Sequence, residues 1–312
     1  MSGAPKPCAL ILAGGDGTRL LPLTRKIAGD DRPKQFCPIL GPQTLLDQTR
    51  RRVGLAISPG RSLVVVTETH ERFYAPLLAN LPPECVVVQP ENRGTAPAIL
   101  YGLLRLAATG PTGAVAVFPS DHYVTDDDLF MAHVDAALEA VHCRPDLVVL
   151  LGTSPDHPEV EYGWIEPAGP IVTAAPGDLY RVRRFWEKPS PALARMLLAR
   201  GCLWNSFVIV ARVPALLALI RKALPGLYDR FAAVSPTLDT LLEKEAVRGL
   251  YSRIPSANFS RQVLAVLPAN LAVLPVRGVG WEDLGKPRRV LSVLARTGGS
   301  PAWVEPAAAA LA

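Results

Sequence analysis

The chain has 312 residues, of which 49% are hydrophobic and 20% charged, with a formal net charge of +5. That composition excludes a disordered chain and supplies apolar surface for one large domain or about two ordinary ones. The Lys and Arg residues are spread along the sequence, so the basic balance fits phosphorylated small molecules better than nucleic acid.

Cys8, Cys37, Cys85, Cys143 and Cys202 form no C-x-x-C pair and no zinc-ligand spacing, so reduced thiols are expected. No run reaches the roughly 18 apolar residues that suggest a bilayer span, and the N-terminus lacks a signal-peptide pattern. The expectation is a soluble, cytoplasmic protein that binds neither membrane nor nucleic acid.

The first element is an apolar run, CALILA (8–13), read as a short buried strand. It stops at Gly14, Gly15 and Gly17, followed by Thr18, Arg19 and Pro22. Glycines at such a turn let backbone N–H groups form a nest for an anion. The turn is not a dinucleotide fingerprint, because Leu20 stands where G-x-G-x-x-G needs its third glycine, and no Gly-Lys-Ser or Gly-Lys-Thr makes it a Walker loop. An NAD-dependent dehydrogenase is excluded on the same ground. With Lys34 in RPKQF, the nest and two cations suit a triphosphate; the plainer alternative is a tight turn with surface Arg and Lys.

Strand and helix then alternate. RSLVVVT (61–67), ECVVVQP (84–90), GAVAVFPSD (113–121) and DLVVLLG (146–152) read as strands. THERFYAPLLANL (69–81), TAPAILYGLLRLAA (95–108) and DDDLFMAHVDAALEAVH (126–142) read as helices. Alternation of this kind implies an α/β fold, a mostly parallel mixed sheet with helices on both faces, and ligands beyond the carboxyl ends of the strands. The glycine turn, QPENRGT and PSDH all fall at those ends. Asp126 to Asp128 open a helix and read as a solvated cap. In the second half, strands are expected in 161–167, 179–189, 202–211 and 271–278. A helix is expected at 190–201 with Ser190 as its cap, and further helices within 214–251. His70, His122, His133, His142 and His157 show no ligand spacing and are read as structural, and Trp186 and Trp204 as core aromatics. One catalytic domain is expected over 1–290, with a short C-terminal helix and fraying tail over 291–312.

LAGGDGTRLLPLT…RPKQF resembles the signature of the sugar-1-phosphate nucleotidyltransferases. ENRGTAPAI, FPSDHYV, EYGWIEP, FWEKP, WNSF and GWEDLG match further motifs in the family's order, from Leu10 to about Gly285. Within that superfamily the Pro-Lys-Gln-Phe ending is similar to the mannose-1-phosphate guanylyltransferases. The resemblance implies a Rossmann-like nucleotidyltransferase fold. The implied reaction joins a sugar 1-phosphate, most simply mannose 1-phosphate, to GTP or another NTP, giving the nucleotide sugar (GDP-mannose) and pyrophosphate.

Carried over position by position, the resemblance makes Arg19, Lys34, Asp121 and Asp283 catalytic, with Asp121 and Asp283 binding Mg²⁺. It puts Leu12, Ala13, Gly14, Gly15, Gly17, Thr18, Gln89, Gly94 and Thr95 on the nucleotide, where Gln89 has an amide suited to a base edge. It puts Gly163, Glu187, Lys188 and Asn205 on the sugar phosphate. Four positions depart from the family's pattern. Gly94 replaces an asparagine, whose restoration is expected to widen the preference for guanine if the loop admits a side chain. Asn258 and Val263 replace two acids near the sugar, and Glu282 is added beside Asp283. Neither a C-terminal β-helix nor a fused isomerase domain is expected. Other sugars or bases, and a non-catalytic sensor of sugar nucleotides, are the competing functions. Oligomeric state is left open, a homodimer included.

Overall fold

The computed structural model describes residues 6–304 except 110–112, 176, 300 and 302. The strands in chain order are β1 (Cys8–Leu12), β2 (Ser62–Thr67), β3 (Val86–Gln89), β4 (Ala114–Pro119), β5 (His122–Val124), β6 (Val148–Thr153), β7 (Gly163–Pro170), β8 (Tyr180–Glu187), β9 (Leu203–Arg212), β10 (Leu271–Val276) and β11 (Trp281–Asp283). The helices are α1 (Leu21–Ala28), α2 (Leu45–Val53), α3 (Glu71–Leu78), α4 (Thr95–Ala108), α5 (Asp127–Cys143), α6 (Pro191–Ala199), α7 (Val213–Ala223), α8 (Pro225–Val234), α9 (Glu243–Tyr251) and α10 (Pro287–Thr297).

Nine strands form one sheet in the order β3-β2-β1-β4-β9-β6-β10-β8-β7. The α/β class expected from the sequence is present. The sheet is parallel through β3-β2-β1-β4 and again between β6 and β10. β9 lies antiparallel between β4 and β6, and the β7–β8 hairpin is also antiparallel, so the mixed character is concentrated in the second half.

Side-chain alternation along the buried strands feeds a core on each face of the sheet. On β1, Leu10 joins the core formed with Ile99 and Leu103 of α4 and Leu216 of α7. Its neighbours Ala9 and Ile11 join the opposite core with Phe130 and Val134 of α5. Burying one such side chain contributes about 1.5–3 kcal/mol, which is why these positions are apolar on both faces. A third cluster packs Leu20 and Leu23 against Ile39, Leu284, Val290 and Leu294. It ties α10 to the glycine turn, and α10 runs across the boundary expected at 290. Much of the tail expected there, 305–312, lies outside the described residues. Asp126 and Ser190 cap α5 and α6, accepting from the Leu129 and Leu193 N–H groups. Among the described residues, no helix is long and apolar enough to cross a membrane.

Candidate active site

The carboxyl ends of β1, β2, β3 and β4 converge, and the segment after β1 is held from beneath. Gln35 Nε2 donates to Ala13 O at 2.9 Å and to Gly15 O at 2.7 Å, while Thr67 Oγ1 donates to Gly14 O at 2.8 Å. With the carbonyls fixed, the N–H groups of Gly14, Gly15, Asp16 and Gly17 make no hydrogen bond among the described residues. This is the geometry of an anion nest. Gly17 has φ +60, where a side chain is strained, and a Cβ on Gly14 would lie 2.2 Å from Gln89 Nε2 and 2.9 Å from Thr67 Oγ1, so both would have to shift.

Lys34 stands on a short turn beside this loop and is almost fully buried. Its Nζ lies 3.1 Å from Asp121 Oδ2, 3.0 Å from Asp283 Oδ1 and 3.1 Å from Leu284 O. Asp121 follows β4; Asp283 arrives because β11 pairs antiparallel with β5, setting Asp283 opposite His122. Burial alone would lower the Lys34 pKa, but Asp121 and Asp283 overcome it and the net shift is upward. Burial pushes the Asp283 carboxyl up, and Lys34, His122 and Arg289 more than reverse this, holding it well below the usual range. The result is a charged cluster on one wall of the cleft.

His122, read from sequence as structural, belongs to this cluster. Its Nε2 is 3.6 Å from Asp121 and 3.8 Å from Asp283, and its ring packs edge-on against Trp281 at 5.1 Å. Burial lowers its pKa against the pull of both carboxylates, which favours the neutral ring. The available signal was its place directly after Asp121. Glu282, the added acid, accepts from Tyr162 Oη at 2.5 Å and lies 3.6 Å from Arg289. It therefore belongs to the framework beside the cluster. Asp126 caps the helix as expected, but Asp127 is not solvated: it pairs with buried Arg52 at 2.6 Å and with Arg51 at 3.2 Å. Arg19 stays half exposed at the mouth, with one contact to Glu161 at 3.5 Å.

The opposite end of the cleft is built by β7, β8 and β9. A register shift between β6 and β9 accompanies a left-handed Phe207 (φ +62), whose N–H donates to Asn205 Oδ1 at 3.2 Å. Bulged strands of this kind re-aim a side chain, and Asn205 lines the cleft. Gly163 pairs with Glu187, and a Cβ there would meet Phe185 at 2.8 Å and Glu187 at 3.2 Å. Burial raises the Glu187 pKa, opposed by Lys188 and Arg261. Lys188 has φ +53, with its N–H donating to Tyr162 O at 3.1 Å. Such strain at a non-glycine costs about 1–3 kcal/mol and collects at functional sites.

The remaining loop precedes α4. Gly94 adopts φ +86, ψ −179, and its Cβ would lie 2.5 Å from Ala257 O. The gain expected from restoring asparagine there required room for a side chain, and the Ala257 backbone occupies that space. Ala257 N donates to Arg93 O, Ala96 N to Ala257 O and Phe259 N to Thr95 Oγ1. Gln89 is 1% exposed, and its amide already serves Thr67 and Tyr251 at 2.9 and 3.3 Å. Asn258 lines the cleft, whereas Val263 is buried in the core.

One cleft of about 390 Å³ is lined by Gly14, Gly15, Gln89, Asp121, Lys188 and Asn205 among others. An adjoining cavity of about 360 Å³ reaches Gly17, Arg19 and Lys34 and shares Asp121 and Asp283 with it. The site residues expected from sequence thus surround a shared space at the carboxyl ends of the strands, except Ala13, which lines neither cavity and is buried in the core.

The chain is similar to known proteins over most of its length. The family profile described as nucleotidyl transferase matches residues 8–297. The xanthan biosynthesis protein XanB of Xanthomonas campestris pv. campestris (strain B100) is 33% identical over 298 residues, 93% of this chain and 60% of that protein. A mannose-1-phosphate guanylyltransferase of Escherichia coli K12 is 29% identical over 300 residues, 92% of this chain and 60% of its own length. The chain thus spans about three-fifths of these relatives. A crystal structure titled mannose-1-phosphate geranyltransferase, from Thermus thermophilus, superposes with a TM-score of 0.78 at 32% identity, covering 92% of this chain and 80% of that one. With the glycine loop, the buried lysine and the paired aspartates in place within the matched span, the chain belongs to the nucleotidyl transferase family.

Proposed function

We propose that this chain transfers a nucleotidyl group from GTP to mannose 1-phosphate, releasing pyrophosphate and forming GDP-mannose. The observation that carries the reading is the continuous cleft, with the N–H nest and Lys34–Asp121–Asp283 at one end and Glu187, Lys188 and Asn205 at the other. A phosphate oxygen of the sugar 1-phosphate attacks the α-phosphorus, forming one P–O bond while the bond to pyrophosphate breaks. Phosphoryl chemistry of this type depends on positioning and charge neutralisation. The Gly14–Gly17 N–H groups and Arg19 bind the triphosphate. Lys188 takes the phosphate of the sugar phosphate, and Glu187 and Asn205 orient sugar hydroxyls.

The donor set fits magnesium. Mg²⁺ is usually held by one or two carboxylates together with substrate phosphates, and Asp121 and Asp283 already converge on a cation, the Lys34 ammonium. No group of three or more His, Cys, Asp or Glu suited to a metal occurs among the described residues, so an ion at this pair would draw its remaining ligands from substrate and water. Bound by these two residues, Mg²⁺ would offset negative charge on the reacting phosphates. A cytoplasmic site of action accompanies this reading, because both substrates are phosphorylated small molecules.

Asn258 at the cleft and Val263 in the core favour a second reading, the same reaction on a different sugar 1-phosphate. Pyrophosphate release over a grid of nucleoside triphosphates and sugar 1-phosphates separates them. GTP with mannose 1-phosphate is expected to give the highest kcat/KM. Equal use of ATP would remove the guanylyl assignment, and nucleotide-sugar binding without turnover of any pair would leave a sensor.

A further inference from the structure

We infer that Arg289, stacked on Tyr162, is a positioning residue that clamps the backbone of Asp283 where its carboxylate meets Lys34. The metal and substrates named in the test rest on the function proposed above; the clamp rests on the contacts that follow. Arg289 is 5% exposed and, among the described residues, lines neither cavity, so it acts on the site only through other residues. It stands in the first turn of α10, and its Nη1 donates back to the Asp283 carbonyl at 3.2 Å. The same guanidinium lies over the Tyr162 ring, 4.4 Å from its centroid, where the ring quadrupole attracts a cation. Tyr162 Oη accepts from Asp283 N at 3.3 Å and donates to Glu282 Oε1 at 2.5 Å. One stacked pair therefore holds both backbone groups of Asp283, the N–H through Tyr162 and the carbonyl through Arg289.

Carboxylates anchor the rest of the guanidinium. Its Nη2 lies 2.8 Å from Glu159 and 3.2 Å from Glu161, and its Nε 3.6 Å from Glu282. Glu159 and Glu161 lead into β7, which opens on Gly163, and Lys188 N donates to Tyr162 O at 3.1 Å. The clamp thus ties the strands at the far end of the cleft to the aspartate that faces Lys34. A planar fork of five donors serves all these partners at once, whereas an ammonium would keep the charge and lose the fan of bonds. Misplacing a reacting group by about 1 Å can cost roughly 10²-fold in rate, so a buried residue that touches no substrate can still govern turnover.

Arg289→Lys keeps a positive charge among the carboxylates and gives up the bond to the Asp283 carbonyl. Tyr162→Phe keeps the ring under the guanidinium and removes the hydroxyl that holds the Asp283 N–H. Three measurements on the full chain decide the matter. The dissociation constant for Mn²⁺ in the presence of GTP, read by electron paramagnetic resonance, is expected to weaken about tenfold in both variants. The Mg²⁺ concentration for half-maximal pyrophosphate release should rise by a similar factor, with turnover recovering at high Mg²⁺ and KM for mannose 1-phosphate staying within about twofold. Loss of folded protein alone would lower turnover without changing the Mn²⁺ dissociation constant. Without metal or substrate, amide exchange at Asp283 is expected to accelerate about tenfold in Tyr162→Phe and by a smaller factor in Arg289→Lys. Unaltered Mn²⁺ affinity in both folded variants would overturn the positioning role. If Arg289→Lys does not fold, Tyr162→Phe, which leaves the guanidinium among its carboxylates, decides it. If the unaltered protein binds no Mn²⁺ and turns over no substrate pair, the proposed function fails; exchange at Asp283 then decides the clamp, and an unchanged rate in both variants would overturn it.

Discussion

Gly94→Ala provides a sharp test of how the loop before α4 is built. The backbone at φ +86, ψ −179 lies in a region that only glycine populates freely, and forcing an L-residue there costs of order 1–3 kcal/mol. The new Cβ would also sit 2.5 Å from Ala257 O, well inside contact distance, so 93–96 and 257–259 must separate. Three hydrogen bonds join these segments, at 2.9, 3.0 and 2.9 Å, and each contributes about 0.5–1.5 kcal/mol net. If the strain is retained and one or two bonds are lost, the expected destabilisation is about 1.5–6 kcal/mol. Urea denaturation at neutral pH measures it directly. Asn258 within the displaced segment and Ser260 just after it line the cleft, so kcat/KM should fall as well, and Gly94→Asn should behave like Gly94→Ala. A loss below about 0.5 kcal/mol with normal turnover would refute the claim that the position excludes a side chain.

Three other perturbations separate the parts of the site. Asp121→Asn or Asp283→Asn keeps the shape but removes a charge facing Lys34, and a rate loss of roughly 10²–10³ is expected in pyrophosphate release at saturating Mg²⁺; near-normal turnover would clear that residue of metal binding. Arg19→Ala and Lys34→Ala should act chiefly on GTP, and Lys188→Ala on mannose 1-phosphate, each by roughly 10- to 150-fold in affinity; equal losses on both substrates in all three variants would contradict the division. Burial works to raise the Glu159 pKa, but the Glu161 N–H and the Arg289 guanidinium overcome it and hold it at about 2 against an ordinary 4.5. A depressed carboxylate stabilises the fold above its unfolded pKa and loses that contribution as pH falls through the folded value. Glu159→Gln should therefore lose about 3 kcal/mol above pH 5, with its gap to the unaltered protein closing toward pH 2 in paired denaturation curves.

The glycine turn was legible because strand, turn and cations lie within one short stretch. Parallel strands then force such turns to one edge, and Asp121 was placed by the same logic. Ser190 and Asp126 were legible as caps because capping is local. The partner of Asp121 was recognised only by resemblance: β5 and β11 are three residues each, too short for any periodicity to register. His122 went unread for the same reason, since its neighbours Asp283 and Trp281 come from β11. The obstacle at Gly94 comes from the backbone of Ala257, far along the chain, and no side-chain pattern signals it. The link from Thr67 through Gln89 to Tyr251 is likewise invisible in sequence, because each residue is ordinary within its own element.

The pairing of β11 with β5 has a consequence for how the protein reaches its working form. Lys34 and Asp283 are separated by 249 positions, so their contact closes a loop spanning most of the polypeptide. Contacts between such distant segments carry a large ordering cost before they are rewarded. A growing chain can assemble β1 to β4 and the glycine turn on the ribosome, yet it holds one aspartate of the pair until residues 281–283 emerge. On the function proposed above, every partial translation product ending before that point lacks one carboxylate of the pair facing Lys34 and is expected to show no turnover.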